Sequence, residues 1–335
     1  MAVDLSTRYL GLRLTSPLVV SACPLTESLS ALRTLEEAGA GAAVLPSLFE
    51  EQIEHEQHEV HRLYEYGAEL FPEALHYFPE LDGNSQGPAD YLKRIEDAKK
   101  AVRIPIIASL NGHSEGGWLH YAQLMEQAGA DALELNVFWV PTDPDLTALE
   151  VENRYLDLVE AVRGAVSIPL AVKIPFAFTS IPHLAHRIES VGADGLVLFN
   201  RLIPPDVDLD TLELKPNLTL STHREIGLPL WWIGILSGTV SLSLAATSGV
   251  HAPEDVAKLL LVGADVAMTA SALLRHGPEH LRTLRSGLEE WMEEKEYESV
   301  NQMRGSLSRR HCPTPEAYER ANYMRTLVSY TGREA

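Results

Sequence analysis

Amides, hydroxyls and a lysine recur along this chain at the points where short apolar runs stop. The positions are Ser21-Ala22, Pro46-Ser47, Ser109-Leu110-Asn111, Asn136, Lys173, Asn200, Thr247-Ser248-Gly249 and Ala270-Ser271. Carboxamides and hydroxyls both donate and accept, so a ring of them can read the edge of a planar heterocycle. A lysine facing the same ring can stabilise negative charge placed there by reduction. The last two turns are small: Ser248-Gly249 leads into a helix through Pro253-Glu254-Asp255, and Ala270-Ser271 opens Ala272-Leu273-Leu274. Loops of this kind after the last two strands of a barrel bind phosphate through backbone N–H groups and a helix N-terminus. A heterocycle with a phosphate tail describes flavin mononucleotide, FMN. The set contains no cluster of metal ligands, and no metal is expected.

These residues act together only if the fold gathers them. Four times a helical stretch meets a glycine suited to a helix C-cap and then a short buried strand. The four copies are Glu37-Ala38-Gly39-Ala40-Gly41-Ala42, Gln127-Ala128-Gly129-Ala130-Asp131-Ala132, Val191-Gly192-Ala193-Asp194-Gly195 and Val262-Gly263-Ala264-Asp265. Repeated helix–Gly–strand units dictate a parallel α/β sheet. Their number points to a closed (β/α)8 barrel, the TIM barrel, in which chemistry sits where the strands end. Expected strands are Leu18–Ala22, Ala42–Leu45, Ile106–Leu110, Ala132–Val137, Leu170–Ile174, Gly195–Phe199 and Val266–Thr269, all apolar runs of strand length. Two segments compete for the seventh strand. Leu230–Leu236 has the composition, but a parallel neighbour needs a crossover of a dozen or more residues. That places 228–237 in the crossover and the strand at 242–247.

Between strands two and three, about Glu50 to Gln86, the chain exceeds an ordinary connection and is expected to form a lid or substrate wall. His55 and His58 in this insertion could share a helix face with Glu51. The i, i+3, i+6 spacing drifts around a helix, however, which favours a solvated helix over a metal site.

One barrel with this insertion and a C-terminal extension accounts for 335 residues. The expected division is 1–308 as the barrel and 309–335 as an extension packed on it or on a partner subunit. A formal charge of -20 argues against nucleic acid and against anionic lipid, both of which call for Lys and Arg. Two cysteines, Cys23 and Cys312, offer neither a disulfide framework nor a zinc cluster and suit a reducing compartment. The first residues lack the basic start and apolar core of a signal peptide, and Leu228–Leu236 is too short to cross a bilayer. A soluble cytoplasmic protein acting on a small molecule is expected, without nucleic-acid or membrane partners.

From about Leu10 to Leu307 the sequence resembles the dihydroorotate dehydrogenases, in a divergent branch of that family. The resemblance rests on Ser16-Pro17-Leu18-Val19-Val20-Ser21-Ala22, Glu134-Leu135-Asn136, Leu170-Ala171-Val172-Lys173, Phe199-Asn200, Thr247-Ser248-Gly249-Val250, Ala264-Asp265 through Ala272-Leu273, and Gly277-Pro278. It implies a barrel with FMN at the C-terminal mouth. Ser21 and Ala22 would contact the flavin, Asn111, Asn136 and Lys173 would face the isoalloxazine, and Asn200 would lie between flavin and substrate. Ser248, Gly249, Ala270 and Ser271 would hold the phosphate, with Ser47 completing the cofactor set. Soluble members of the family usually form homodimers.

The substrate side departs from the pattern. The family places a Cys or Ser base in an Asn-x-Ser-Cys-Pro-Asn segment or similar after strand four. This chain reads Asn136-Val137-Phe138-Trp139-Val140-Pro141-Thr142-Asp143. Trp139 stands at the base position, and an indole N–H only donates. Strand two has Pro46-Ser47 where the family often has a lysine before the serine. Of the asparagine-rich substrate loop only Asn84-Ser85 matches. Three readings follow. The first is a flavin oxidoreductase of the same reaction class with a rebuilt base, Thr142 or Asp143, acting on dihydroorotate or another dihydro-heterocycle. The second is an FMN barrel with a different substrate or without dihydroorotate turnover. The third is a flavin-free aldolase-type barrel in which Lys173 forms a Schiff base. Dihydrouridine synthases share the flavin barrel, but an RNA substrate sits badly with the charge.

Overall fold

A computed structural model describes residues 3–53, 87–114, 116 and 119–331. Eight parallel strands close into a barrel: β1 Leu18–Val20, β2 Ala42–Phe49, β3 Ile106–Asn111, β4 Ala132–Asn136, β5 Leu170–Ile174, β6 Gly195–Leu198, β7 Ser243–Thr247 and β8 Val266–Thr269. Helices cover it: α1 Leu29–Glu37, α2 Pro88–Ala101, α3 Leu119–Gln127, α4 Ala148–Ala165, α5 Ile181–Ser190, α6 Gly227–Leu236, α7 Pro253–Val262, α8 Ser271–His276 and α9 His280–Glu294. This is the (β/α)8 barrel that the helix–Gly–strand repeats require. Ser243–Thr247 is the seventh strand, and the Trp231-Trp232 run is helical within the crossover. Strand β2 runs past the expected end at Leu45. A register shift between Val44 and Ser47 carries Pro46 through a stretch of ladder that its missing N–H could not have completed.

Side chains alternate across a strand, so the inward residues can be counted off from the barrel's inner cluster. Val19, Ala42, Val44, Ile107, Ala132, Ala171, Val197, Ala245, Val266 and Met268 form that cluster. Two steps further along their strands, the same parity aims Ser21, Ser109, Glu134, Lys173, Phe199, Thr247 and Ala270 inward. The apolar lower layer thus gives way to a polar upper one. An antiparallel hairpin, Thr7–Tyr9 against Leu12–Leu14, lies at the opposite end, and its Tyr9, Leu10 and Leu14 join the inner cluster as a plug. Gly195 makes room for that plug, since a Cβ there would lie 2.4 Å from Leu10 Cδ2.

The repeated phrase has a structural cause. Gly39, Gly129, Gly192 and Gly263 end their helices with φ of +100°, +95°, +93° and +116°, the left-handed turn that glycine adopts without a Cβ clash. In three copies an aspartate follows two residues later and clamps the neighbouring strand. Asp131 Oδ2 accepts from Ile106 N at 2.7 Å, Asp194 Oδ2 from Leu170 N at 2.8 Å, and Asp265 Oδ2 from Leu244 N at 2.7 Å. The amide of each aspartate donates back to the carbonyl of the same partner residue. Lys99, Arg163 and Arg304 pair with the three carboxylates in turn. Gly41 takes this place in the first copy because a Cβ would lie 2.0 Å from Ser16 O.

After α9 the chain returns to α6. Arg309 N donates to Gly234 O at 2.8 Å, Trp231 Nε1 donates to Tyr318 O at 2.8 Å, and the Tyr318 ring lies over Gly234. The final helix, Arg320–Thr331, is mostly exposed. Among the described residues no helix is long and apolar enough to cross a membrane, and no group of three or more His, Cys, Asp or Glu could hold a metal ion. His55, His58, Asn84 and Ser85 lie outside the described residues.

Candidate functional site

The polar layer opens into a cavity of about 360 Å³ at the C-terminal ends of the strands. Ser21, Ala22, Ser47, Asn136, Lys173, Asn200, Ser248, Gly249, Ala270 and Ser271 all line it. These residues come from the ends of seven different strands, which the closed ring alone brings together. Asn111 ends β3 beside Asn136 in the ladder but is not among the lining residues.

Hydrogen bonds fix several of these groups. Asn200 Nδ2 donates to Asn136 Oδ1 at 2.6 Å, and Asn200 N reaches Ile174 O at 2.8 Å. The Ser47 and Ser109 hydroxyls lie 2.7 Å apart, behind which Tyr91 OH donates to Ser109 O and accepts from Ser109 N. Burial pushes the Tyr91 phenol well up, so it stays a neutral donor and acceptor. Lys173 is nearly buried, and its Nζ lies 3.3 Å from Glu134 Oε1 on the adjoining strand.

Small residues shape the other end. Ser248 and Gly249 are both in the left-handed region, φ +74° and +81°. A Cβ on Gly249 would lie 2.2 Å from Ile226 N, so only glycine fits this approach of two backbones. Ser221, which the strand-end reading did not include, joins them from the segment before α6. Its N donates to Ser271 Oγ at 3.1 Å and its Oγ lies 3.2 Å from His251 Nε2. Burial, aided by Arg275, holds the His251 imidazole below its ordinary value despite Asp255 and Glu225, so it is neutral at pH 7. No strand periodicity marks Ser221, which enters the site from a long connection; only its position before a helix hints at a loop role.

The loops after β2 and β4 look different. Trp139 is half-buried, with the Arg154 guanidinium 4.1 Å above its ring and Arg154 Nε donating to His113 O at 2.8 Å. Glu50, buried just after β2, organises the neighbouring loop. Its carboxylate accepts from His113 N at 2.7 Å, lies 3.0 Å from His113 Nδ1, and takes the Ser114 hydroxyl as well. Burial pushes the Glu50 carboxyl up, but the bonds from Ser114 and His113 outweigh it and leave the group below its ordinary value. Thr142 and Asp143 are exposed and are not among the lining residues, and Asp143 Oδ1 accepts from Asp145 N in its own loop. Cys23 does line the cavity, yet burial raises its thiol and disfavours the thiolate.

A closed barrel with one polar, lysine-bearing cavity at the C-terminal strand ends defines a TIM-barrel protein with its site where that fold places active sites. The sequence profile of the dihydroorotate dehydrogenase family matches residues 4–292, and the chain belongs to that family. It is 24% identical over 321 residues to the catalytic subunit of dihydroorotate dehydrogenase B (NAD(+)) of Thermoplasma volcanium, covering 92% of this chain and 99% of the relative. A putative dihydroorotate dehydrogenase A (fumarate) of Aeropyrum pernix is also 24% identical over 321 residues, covering 91% and 98%. The B-type catalytic subunit of Bacillus pumilus reaches 32% over 183 residues, covering 50% of this chain and 56% of its own.

Proposed function

We propose that the protein is an FMN-dependent oxidoreductase that removes two hydrogens from dihydroorotate or another dihydro-heterocycle. The observation that carries this reading is the gathering of ten flavin-side residues around one cavity. The donor set fits FMN. Asn136, Asn200, Ser47 and Thr247 suit the edge of a heterocycle, and Lys173 suits charge on a reduced ring. The close-packed Ser248-Gly249 and Ala270-Ser271 turns suit a phosphate. When bound, FMN supplies the acceptor for the two electrons and one hydrogen leaving the substrate as hydride. A second hydrogen leaves the adjacent carbon as a proton, and a C=C bond forms. Turnover would need an external electron acceptor, for which the relatives' names offer NAD+ and fumarate.

Thr142 and Asp143 stand in this proposal as the proton-accepting groups of the altered loop, Asp143 by its basicity and Thr142 as a hydroxyl replacement. Their exposed positions require the 138–147 loop to close over substrate. A second reading, an FMN barrel that leaves dihydroorotate untouched, is favoured by Trp139 locked under Arg154. Schiff-base chemistry is disfavoured because Lys173 Nζ is engaged by the Glu134 carboxylate at 3.3 Å. A cytoplasmic homodimer, with barrel 1–308 and extension 309–335, completes the proposal. The deciding experiment is anaerobic addition of dihydroorotate to the purified protein while the visible flavin band is followed. Bleaching supports the first reading, a yellow protein that stays yellow supports the second, and a protein that neither carries nor takes up FMN overturns both.

A further inference from the structure

Glu134 lies in the layer beneath the cavity and is 1% exposed. Its Oε1 faces Lys173 Nζ at 3.3 Å, while Oε2 has no hydrogen-bond partner among the described residues. The Tyr9 hydroxyl of the plug is also buried without a hydrogen-bond partner among the described residues. Burial raises the Tyr9 phenol, and the charge of Glu134 raises it further, so that side chain stays neutral. The carboxylate therefore leans on one cation, and that cation is the lysine lining the cavity. A buried carboxylate held by a single 3.3 Å contact is a poor stabilising device, because desolvation offsets much of the attraction. Its effect on the charge at the cavity floor is large by comparison, since a low-dielectric interior screens it weakly.

We propose that Glu134 is a positioning residue that sets the charge Lys173 presents to bound FMN, holding the ammonium in place and offsetting part of its field. This rests on the FMN reading above. A reduced flavin carries more negative charge than an oxidised one, so a bare cation favours reduction and a compensated one favours it less. Glu134 would keep the flavin able to pass its electrons on.

The test uses the FMN-loaded protein with Glu134→Gln, which keeps the shape and one acceptor but removes the charge. The flavin midpoint potential should become more positive by about 30 mV or more, the equivalent of tenfold for a two-electron couple. Sulfite, whose addition to flavin is favoured by nearby positive charge, should bind about tenfold more tightly. A merely structural role would move neither reading in this direction. Should the single variant fail to fold, Glu134→Asp replaces it: it keeps the carboxylate but draws it back from Lys173 Nζ, and a smaller shift in the same positive direction is expected. An unchanged or more negative potential with FMN bound overturns the proposal. Failure of wild-type protein to bind FMN in a fluorescence titration is a separate result, and it overturns the functional reading on which the proposal stands.

Discussion

Asn200 donates from Nδ2 to Asn136 Oδ1 at 2.6 Å, joining the ends of β4 and β6 across the strand that carries Lys173. The bond uses one end of each amide on two residues that line the cavity, leaving the Asn136 amino group as a donor and the Asn200 carbonyl oxygen as an acceptor. Replacing Asn200 by alanine removes one of these and orphans the other partner, at a cost of about 1–3 kcal/mol. The expected outcome is FMN affinity lowered about tenfold or more, read from quenching of flavin fluorescence as apoprotein is added. Affinity equal to wild type would remove Asn200 from the cofactor site.

Trp139 lies under the Arg154 guanidinium in the loop after β4, where the proposal seeks a base. If Thr142 or Asp143 has taken over proton transfer, Thr142→Ala or Asp143→Asn should slow flavin reduction by about a hundredfold, the usual scale for losing a general base. Stopped-flow bleaching with an active substrate measures this, and wild-type rates in both variants would sink the assignment. Trp139→Ser should act in the other direction with dihydroorotate, raising its rate of bleaching.

The aspartate clamps predict a stability effect detached from the site. Asp194→Ala removes the acceptor for Leu170 N and the partner of Arg163. A loss of about 1–3 kcal/mol is expected, seen as a lower urea midpoint with an unchanged slope. Flavin binding measured well below that midpoint should be unaffected.

Glu50 gives a pH dependence with a definite sign. Its folded-state value lies below the ordinary 4.5, so the carboxylate is favoured in the fold. The stability it contributes is fully present above the unfolded value, and it is lost as pH falls through the folded value. Wild type and Glu50→Gln should therefore differ most in thermal midpoint at neutral pH. The two curves should converge below about pH 4.5. A gap that widened in acid would contradict the assignment.

Much of this is legible in the sequence, for identifiable reasons. Gly129-Ala130-Asp131 announces a helix end because few other residues tolerate the left-handed turn, and Lys173 stands out because a charge inside an apolar run needs a purpose. Other features left no local signal. The extension of β2 through Pro46 depends on a bulge that only the neighbouring strand reveals. Ser221 reaches the cavity because Gly249 lets the 225–226 turn approach, a contact between segments far apart in sequence. The solitary partnership of Glu134 likewise appears only when β4 and β5 are laid side by side.

The clamps stand just ahead of β4, β6 and β8 and grip β3, β5 and β7 respectively, while Gly41, just ahead of β2, donates to Leu18 O of β1. Between β2 and β3, β4 and β5, and β8 and β1, the corresponding end is joined by a backbone bond to Pro105, Pro169 or Pro17. At this end of the barrel the ring is therefore a set of four strand pairs, three of them latched internally by an aspartate side chain, with backbone bonds joining one pair to the next. Such a molecule has natural seams. A chain cut within 138–147, between the second and third pairs, should reassemble from its halves more readily than one cut between two latched strands.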